Sequence, residues 1–135
     1  MKLPIKIASV LLALCTSFAA LAGDILDMKG VSSGKAVSTM YQLAEGHMVL
    51  ASMNEYTKFT MEAAEHPFSS MQGNCFGAIE IRVPAAGGSG NCAFSDGDGD
   101  TSFNRWTVSG MSEDGALVGT WTIIGGTGKF TGSSG

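Results

Sequence analysis

Apolar and polar residues alternate along most of this chain with the two-residue period of β-strands, not the 3.6-residue period of helices. The alternation begins at Lys35–Leu43 and continues through His47–Met53 and Tyr56–Met61. Four later stretches are also predicted as strands: Phe76–Val83, Asn91–Phe94, Thr101–Val108 and Ala116–Ile124. Turn-forming residues recur every ~8–12 positions, which is typical of an all-β sandwich or barrel. The 19 glycines further disfavour long helices.

The segments between the predicted strands are rich in Gly, Asp, Asn and Pro, the residues that favour turns. A short helical turn is predicted at Glu62–Glu65, and a polar connection at Pro67–Asn74. Ala85–Gly90, between Pro84 and the next strand, is predicted to be a loop. Tight turns are predicted at Ala44–Gly46, Asn54–Glu55, Ser95–Asp100 and Gly110–Gly115.

The N-terminal residues have the pattern of a secretory signal peptide. Two lysines precede an apolar run, Ile7–Leu21, which ends in the small-residue site Ala20-Leu21-Ala22. The run is shorter than the ~20 residues that span a bilayer, so a cleaved signal is favoured over a membrane anchor. We therefore expect residues 1–22 to be removed, 23–34 to form an N-terminal arm and 35–135 to form one domain in a periplasmic or secreted protein.

Removal of the signal makes the chain more acidic. Residues 23–135 carry six Lys and Arg against twelve Asp and Glu, a formal charge of −6. Phosphate binding needs a basic face, so this balance argues against a nucleic-acid partner. It equally argues against an anionic membrane surface once the signal is cleaved.

Two of the three cysteines, Cys75 and Cys92, remain after cleavage. An even number of cysteines in an exported chain predicts a disulfide. A metal or redox pair is the alternative, but the chain has no Cys-x-x-Cys spacing and no histidine near either cysteine. The expected bridge would stabilise the fold by about 3 kcal/mol through chain entropy.

The acidic run Asp96-Gly-Asp-Gly-Asp100 makes Asp96, Asp98 and Asp100 candidate calcium ligands. An EF-hand would have glycine at its sixth position and glutamate at its twelfth, and this sequence has Thr101 and Thr107 there. The alternative is a solvated hairpin turn, in which Asp-Gly pairs supply the required backbone angles. No metal is assigned on this pattern alone.

The glycine cluster after Trp121 is similar in composition to phosphate-binding loops but differs from them in detail. A Walker A loop would need glycine at Ile123 and Ser or Thr at Phe130, and a dinucleotide fingerprint would need glycine at Thr131. We interpret the glycines as a structural turn that permits positive φ at a strand corner. The turn glycines are Gly125, Gly126, Gly128 and Gly132.

No pattern assigns catalytic or ligand-binding residues. The chain has no Gly-x-Ser-x-Gly elbow, and the two histidines do not pair with a nucleophile in sequence. The scattered methionines are typical of gap-filling core residues rather than a copper site. We expect no cofactor.

Several motifs together resemble the allene oxide cyclase barrel-like superfamily, which includes plant allene oxide cyclases, dirigent proteins and bacterial exported proteins. The chain resembles this group from Lys35 to Gly135, most specifically in its second half. The motifs are Gly73-Asn-Cys75-x-Gly77, Gly88-x-Gly90-x-Cys92-x-Phe94-x-Asp96, Gly99-Asp100, Trp106, Gly119-x-Trp121 and Ile124-Gly-Gly-Thr-Gly-Lys-Phe-Thr-Gly132.

The resemblance implies a small antiparallel, lipocalin-like β-barrel of eight strands with an apolar interior. Members normally continue beyond the glycine motif with further strands, so we expect the C-terminal closing strand to be missing after Gly135 and the barrel edges to be open. The cavity residues of neither plant group can be matched onto this sequence, so the resemblance implies a fold and not an activity.

Three functions follow from this expected architecture. The favoured one is a non-enzymatic barrel that binds a small hydrophobic molecule, because small barrels can enclose one ligand. An isomerase or cyclase acting in the same cavity is the second. The third is a structural or interaction module, in which open barrel edges pair two copies into a homo-oligomer.

Overall fold

The protein is an antiparallel sheet of six strands, seen in a computed structural model that describes residues 29–135. The predicted signal peptide and residues 23–28 of the predicted N-terminal arm lie outside the described residues, whereas Gly30–Gly34 of that arm form the start of β1. The strands are β1 (Gly30–Ala44), β2 (His47–Met61), β3 (Gln72–Arg82), β4 (Ala85–Ser95), β5 (Thr101–Met111) and β6 (Leu117–Gly126). Two 3₁₀ turns, Pro67–Ser70 and Gly128–Phe130, complete the secondary structure.

The strands follow one another across the sheet in chain order, β1 to β6, so every connection joins neighbours. The all-β antiparallel class is confirmed. The sheet is open, with β1 and β6 as its two edges, as expected for a barrel with open edges, and its six strands are fewer than the eight that the resemblance implies. Beyond β6, the backbone of Gly135 pairs with Ile123 through two hydrogen bonds of 2.5 and 3.2 Å.

Glycines with positive φ close three of the hairpins, as the turn predictions require. Gly46 (φ 69°) ends the β1–β2 turn, Gly99 (φ 87°) the β4–β5 turn and Gly115 (φ 84°) the β5–β6 turn. In the β5–β6 turn, the Ser112 hydroxyl accepts a hydrogen bond of 3.1 Å from the backbone N–H of Ala116. The meander order follows from these short local connections.

The predicted turn at Asn54–Glu55 is wrong, because β2 runs through it without interruption. Asn54 pairs with Ala36 of β1 on one side and with Cys75 of β3 on the other. Pairing on both sides outweighs the local turn preference of Asn. The β1–β2 ladder does become irregular two residues further along β2, at the point where its register shifts opposite Ser33 and Gly34 of β1.

The predicted loop at Ala85–Gly90 is also wrong, because these residues form the first half of β4. They pair with β3 along their whole length, and Gly88 onward also pairs with β5. Of the glycines that suggested a loop, Gly90 is needed in the strand, because the Trp106 indole packs directly on it.

The core lies on one face of the sheet, which we call the inner face. It is capped at one end by the first 3₁₀ turn. His66 begins that turn, and its Nδ1 accepts a hydrogen bond of 3.1 Å from the backbone N–H of Phe68. Phe68 is thereby held over the sheet, with almost no exposed surface.

Candidate functional site

Cross-strand register defines the rows of side chains on the inner face. In one row Asn54 is followed across the sheet by Cys75, Cys92, Asn104 and Ile123. The next row along the strands contains Ser52, Gly77, Gly90, Trp106 and Trp121. Because side chains alternate between faces, every second residue from these positions also faces inward.

One half of the inner face is filled by aromatic side chains. Phe94 is at its centre, with ring centroids 5.0 Å from Phe59, 5.4 Å from Trp121 and 6.1 Å from Phe68. The inter-ring angles are 68° to 82°, the edge-to-face geometry that aromatic quadrupoles favour. Phe130 joins the cluster from the second 3₁₀ turn. We call this half the aromatic half.

The disulfide predicted from the sequence is present in the aromatic half. Cys75 and Cys92 are direct cross-strand partners on β3 and β4, and their sulfur atoms are bonded. Both side chains are buried in the hydrophobic core. The bridge therefore fixes the register of the two central strands beneath the aromatic cluster.

Trp106 marks the boundary of the aromatic half and lies on a bed of glycines. The indole of this β5 residue reaches across β4 to β3, over Gly90 and Gly77. A Cβ atom on either glycine would overlap the ring. The two glycines therefore allow the indole to lie flat against the sheet.

Beyond Trp106 the inner face is lined by aliphatic and small residues and is less filled; we call this the aliphatic half. Its row contains Leu50, Ile79, Gly88, Val108 and Gly119. Ile79 is buried, whereas Leu50 and Val108 are only partly buried. Apolar surface thus remains accessible on the inner side of the sheet.

A cavity of about 110 Å³ lies between the two halves. It is lined by Ser52, Asn54, Tyr56, Cys75, Ile79 and Trp106. The Asn54 side-chain amide donates a hydrogen bond of 3.0 Å to the Ser52 hydroxyl. The aromatic and aliphatic side chains form its walls, and this amide–hydroxyl pair supplies its polar group.

Charge is separated between the two faces of the sheet. The charged residues of the six strands are Lys35, Glu55, Lys58, Glu80, Arg82 and Arg105. The register places Lys35, Glu55, Glu80, Arg82 and Arg105 out of phase with the inner rows, on the outer face. Simple alternation from Asn54 would turn Lys58 inward, but the register shift opposite Ser33 and Gly34 reverses the phase of β2, so that Phe59 is buried and Lys58 is exposed. The inner face of the described strands is therefore uncharged.

The outer face carries an ion cluster at the end of the β2–β3 ladder. A carboxylate oxygen of Glu80 lies 2.7 Å from His47 Nε2 and accepts a hydrogen bond of 2.8 Å from Arg82 Nε. The Arg82 hydrogen bond, followed by that of His47, holds the pKa of Glu80 below its usual range. A depression of about 180 Å³ beside this cluster is larger than the inner cavity but more open, and exposed residues line most of it.

The acidic turn and the glycine cluster, separate in sequence, form one corner. Asp96 accepts backbone hydrogen bonds of 2.9 Å from Asp98 and 3.0 Å from Asp100, and forms an ion pair with the Lys129 ammonium. Asp100 in turn accepts a hydrogen bond of 3.1 Å from the backbone N–H of Lys129. A Cβ atom on Gly128 would overlap the Asp100 carboxylate. The two turns therefore hold each other in place.

Electrostatics at this corner follow from the ion pair. The Lys129 hydrogen bond lowers the pKa of Asp96 against the opposing effect of burial. The same contact raises the pKa of Lys129. The Asp96 side chain is only 2% exposed, so the ammonium is the partner of its otherwise unbonded oxygen.

The structure places two of the three candidate calcium ligands, Asp96 and Asp100, against partners within the protein. Asp96 faces a lysine ammonium, and Asp100 holds a backbone N–H. Within residues 29–135 no group of three His, Cys, Asp or Glu is placed to hold a metal ion. Of the predicted turn glycines, Gly125, Gly128 and Gly132 have positive φ, whereas a side chain on Gly126 would meet Phe130.

The sequence did not point to the cavity residues. Asn54 lies in a predicted turn, and the sequence marks Trp106 only through the family resemblance. The alternation of apolar and polar residues breaks at Asn54-Glu55, so the sequence carries no period that joins Ser52, Asn54 and Tyr56 on one face.

Comparisons of the chain with protein-family models, with curated proteins and with solved structures give no match. Among residues 29–135, no helix has the length and apolar character that a membrane span would need.

Proposed function

We propose that this protein is a non-enzymatic binding protein that holds a small apolar molecule on the inner face of its sheet. The observation that carries the proposal is the cavity between the aromatic and aliphatic halves, whose walls are mainly apolar and which contains the hydrogen-bonded Asn54–Ser52 pair. Ligand sites in proteins have this composition: mainly apolar linings with a few placed polar groups.

The size of the cavity sets the scale of the ligand. A volume of about 110 Å³ is smaller than the ~300 Å³ at the lower end of drug-sized pockets. It accommodates one ring or a short chain segment. The rest of a larger molecule would lie along the partly buried side chains of the aliphatic half, Leu50 and Val108.

The chemistry of the lining favours binding over catalysis. An isomerase would need a general acid or base with a pKa near the working pH. The lining residues offer a hydroxyl, an amide, a phenol, an indole, an aliphatic chain and an oxidised cysteine. The lining supports a binding site better than the cyclase alternative.

Native mass spectrometry of the purified full-length protein tests this proposal. We expect an apolar molecule to co-purify or to bind when hydrophobic compounds are added. Asn54→Phe should abolish binding by filling the cavity, whereas Met53→Phe, the same change on the outer face one residue away, should not. Equal binding by both variants, with unchanged circular dichroism, would refute the proposal.

A second candidate function, interaction through a sheet edge, rests on β1. All 15 residues of this edge strand are exposed. An exposed edge is a template for pairing with another strand, including that of a second copy. Analytical ultracentrifugation distinguishes a monomer from a homo-oligomer. If the protein is a monomer both at high concentration and after 100-fold dilution, this second function is excluded.

Export and family membership are part of the proposal. A buried disulfide is typical of oxidising compartments, which supports a periplasmic or secreted protein. The proposed membership of the allene oxide cyclase barrel-like superfamily, dirigent proteins included, rests on the sequence motifs from Gly73 to Gly132. N-terminal sequencing of the exported protein should begin at Gly23, and retention of residues 1–22 would contradict export by cleavage.

A further inference from the structure

We infer that the inner-face cavity selects an uncharged amphipathic molecule, with one neutral hydrogen-bonding group and an apolar body, and discriminates against carboxylates and ammonium ions. The inference rests on the proposed function and specifies its ligand class. It follows from the separation of charge between the two faces of the sheet.

The cavity has no countercharge for an ionised ligand. All charged residues of the described strands, such as Glu55 and Arg105, point to the opposite face. Transfer of an ionised group into an apolar site without a partner is far more costly than transfer of a neutral polar group that finds a hydrogen bond. A carboxylate or an ammonium would therefore lose its hydration without replacement.

The polar pair of the cavity suits a neutral group. Asn54 and Ser52 together present hydrogen-bond donors and acceptors. Their mutual hydrogen bond uses one amide N–H of Asn54 and one hydroxyl lone pair of Ser52. Within residues 29–135 neither side chain makes another hydrogen bond. The amide carbonyl and the hydroxyl proton remain available to a ligand hydroxyl, ketone, ester or amide.

The walls define where the apolar body lies. From Asn54 to Leu50, β2 advances four residues, about 13 Å. Ile79 faces this path from β3, and the indole of Trp106 forms the opposite boundary. A ligand with its polar group at Asn54 would extend its apolar part over the aliphatic half.

A matched series of ten-carbon ligands tests the inference: 1-decanol, decanoate and decylammonium, each titrated below its micelle concentration at pH 7.5. Intrinsic tryptophan fluorescence reports binding, because Trp106 lines the cavity. We expect decanol to bind at least about ten-fold more tightly than either ion, given the cost of an unpaired charge.

The outcomes separate the two proposals. Decanoate or decylammonium binding as tightly as decanol would overturn the ligand class and leave the binding function standing. Tighter binding of decylammonium alone would assign recognition to the acidic surface instead. Binding of none of the three would overturn both proposals.

A charge introduced at the polar pair provides an independent test. Asn54→Asp keeps the size of the side chain and adds a carboxylate, so it should raise the affinity for decylammonium relative to decanol. Glu55→Gln, next in sequence on the outer face, serves as the control and should leave the ratio unchanged. The same ratio in Asn54→Asp as in the wild type would contradict the inference.

Discussion

Gly128 is the residue on which the contact between the two turns depends most directly. Its φ of 54° is a left-handed value, and its Cα packs against the Asp100 carboxylate. Gly132 also has a left-handed φ, 78°, but a Cβ atom there would meet nothing within 4 Å. The two positions therefore separate backbone strain from side-chain collision.

We predict that Gly128→Ala destabilises the protein more than Gly132→Ala does. The left-handed backbone costs a non-glycine residue about 1–2 kcal/mol at either position. Only at Gly128 must the Asp100 carboxylate also move, which weakens its hydrogen bond to Lys129. Urea denaturation measures both variants, and equal losses would show that the close contact has no energetic role.

The Asp96–Lys129 ion pair predicts how stability depends on pH. The pKa of Asp96 is below the usual 3.8, so its contribution is present above pH 3.8 and is lost as the pH falls through the lower folded value. The pKa of Lys129 is above the usual 10.5, so its contribution is present below pH 10.5 and is lost as the pH rises through the higher folded value.

Lys129→Met tests this assignment. At pH 7 the variant should be less stable, because the buried Asp96 carboxylate loses its cation. Its stability should also rise less between pH 2 and 5 than that of the wild type. Thermal unfolding across this range measures both effects, with Lys58→Met as the exposed control. If the variant and the wild type gained the same stability between pH 2 and 5, Asp96 and Lys129 would not titrate as a pair.

At the scale of elements, β4 is a strand whose glycines serve packing. Glycine normally weakens a strand, and its replacement by alanine normally stabilises. At Gly90 the rule should reverse, because the Phe76 carbonyl oxygen and the Trp106 indole together occupy the space that a methyl group would need. Gly87, on the same strand, has nothing closer than 4.0 Å to a Cβ atom.

We predict that Gly90→Ala costs about 1–3 kcal/mol, the typical cost of overpacking. Gly87→Ala should be neutral or stabilising, by at most about 1 kcal/mol. The tryptophan emission spectrum should shift in the first variant only, since the indole is displaced. If the two variants were equally stable, the close packing on Gly90 would have no energetic role.

The disulfide joins β3 and β4 at the centre of the sheet. Replacing Cys75 and Cys92 together by alanine should cost about 3 kcal/mol, the chain-entropy value for a loop of this length. Denaturant midpoints with and without dithiothreitol measure this cost. Dithiothreitol should lower the denaturant midpoint of the wild type and leave that of the double variant unchanged. If it lowered both midpoints equally, the loss of stability would not come from the disulfide.

Many of the strands and turns could be predicted from the sequence, because apolar–polar alternation and turn-forming residues depend only on neighbours along the chain. The β1–β2 turn at Gly46 and the strand at Phe76–Val83 follow from residues close in sequence. The continuity of β2 through Asn54 could not be predicted in the same way, since it depends on partners in β1 and β3. The cavity is harder still to predict, because it combines residues from β2, β3 and β5.

At the scale of the whole molecule, both faces of the sheet expose apolar surface. On the outer face Val37, Met53 and Phe76 are direct cross-strand neighbours and are 58%, 56% and 51% exposed. Charged residues flank this outer row, as at Lys35 and Glu55. It is therefore the natural competitor for any hydrophobic ligand, and a decisive measurement must distinguish the two faces.

Chemical-shift mapping of the backbone and side-chain amides during a 1-decanol titration makes that distinction directly. The central claim is that the ligand occupies the inner-face cavity. It predicts the largest perturbations at Asn54, Ile79 and the indole N–H of Trp106, with little change at Val37 and Phe76. Perturbations concentrated on the outer row, with the Trp106 indole unmoved, would contradict the claim.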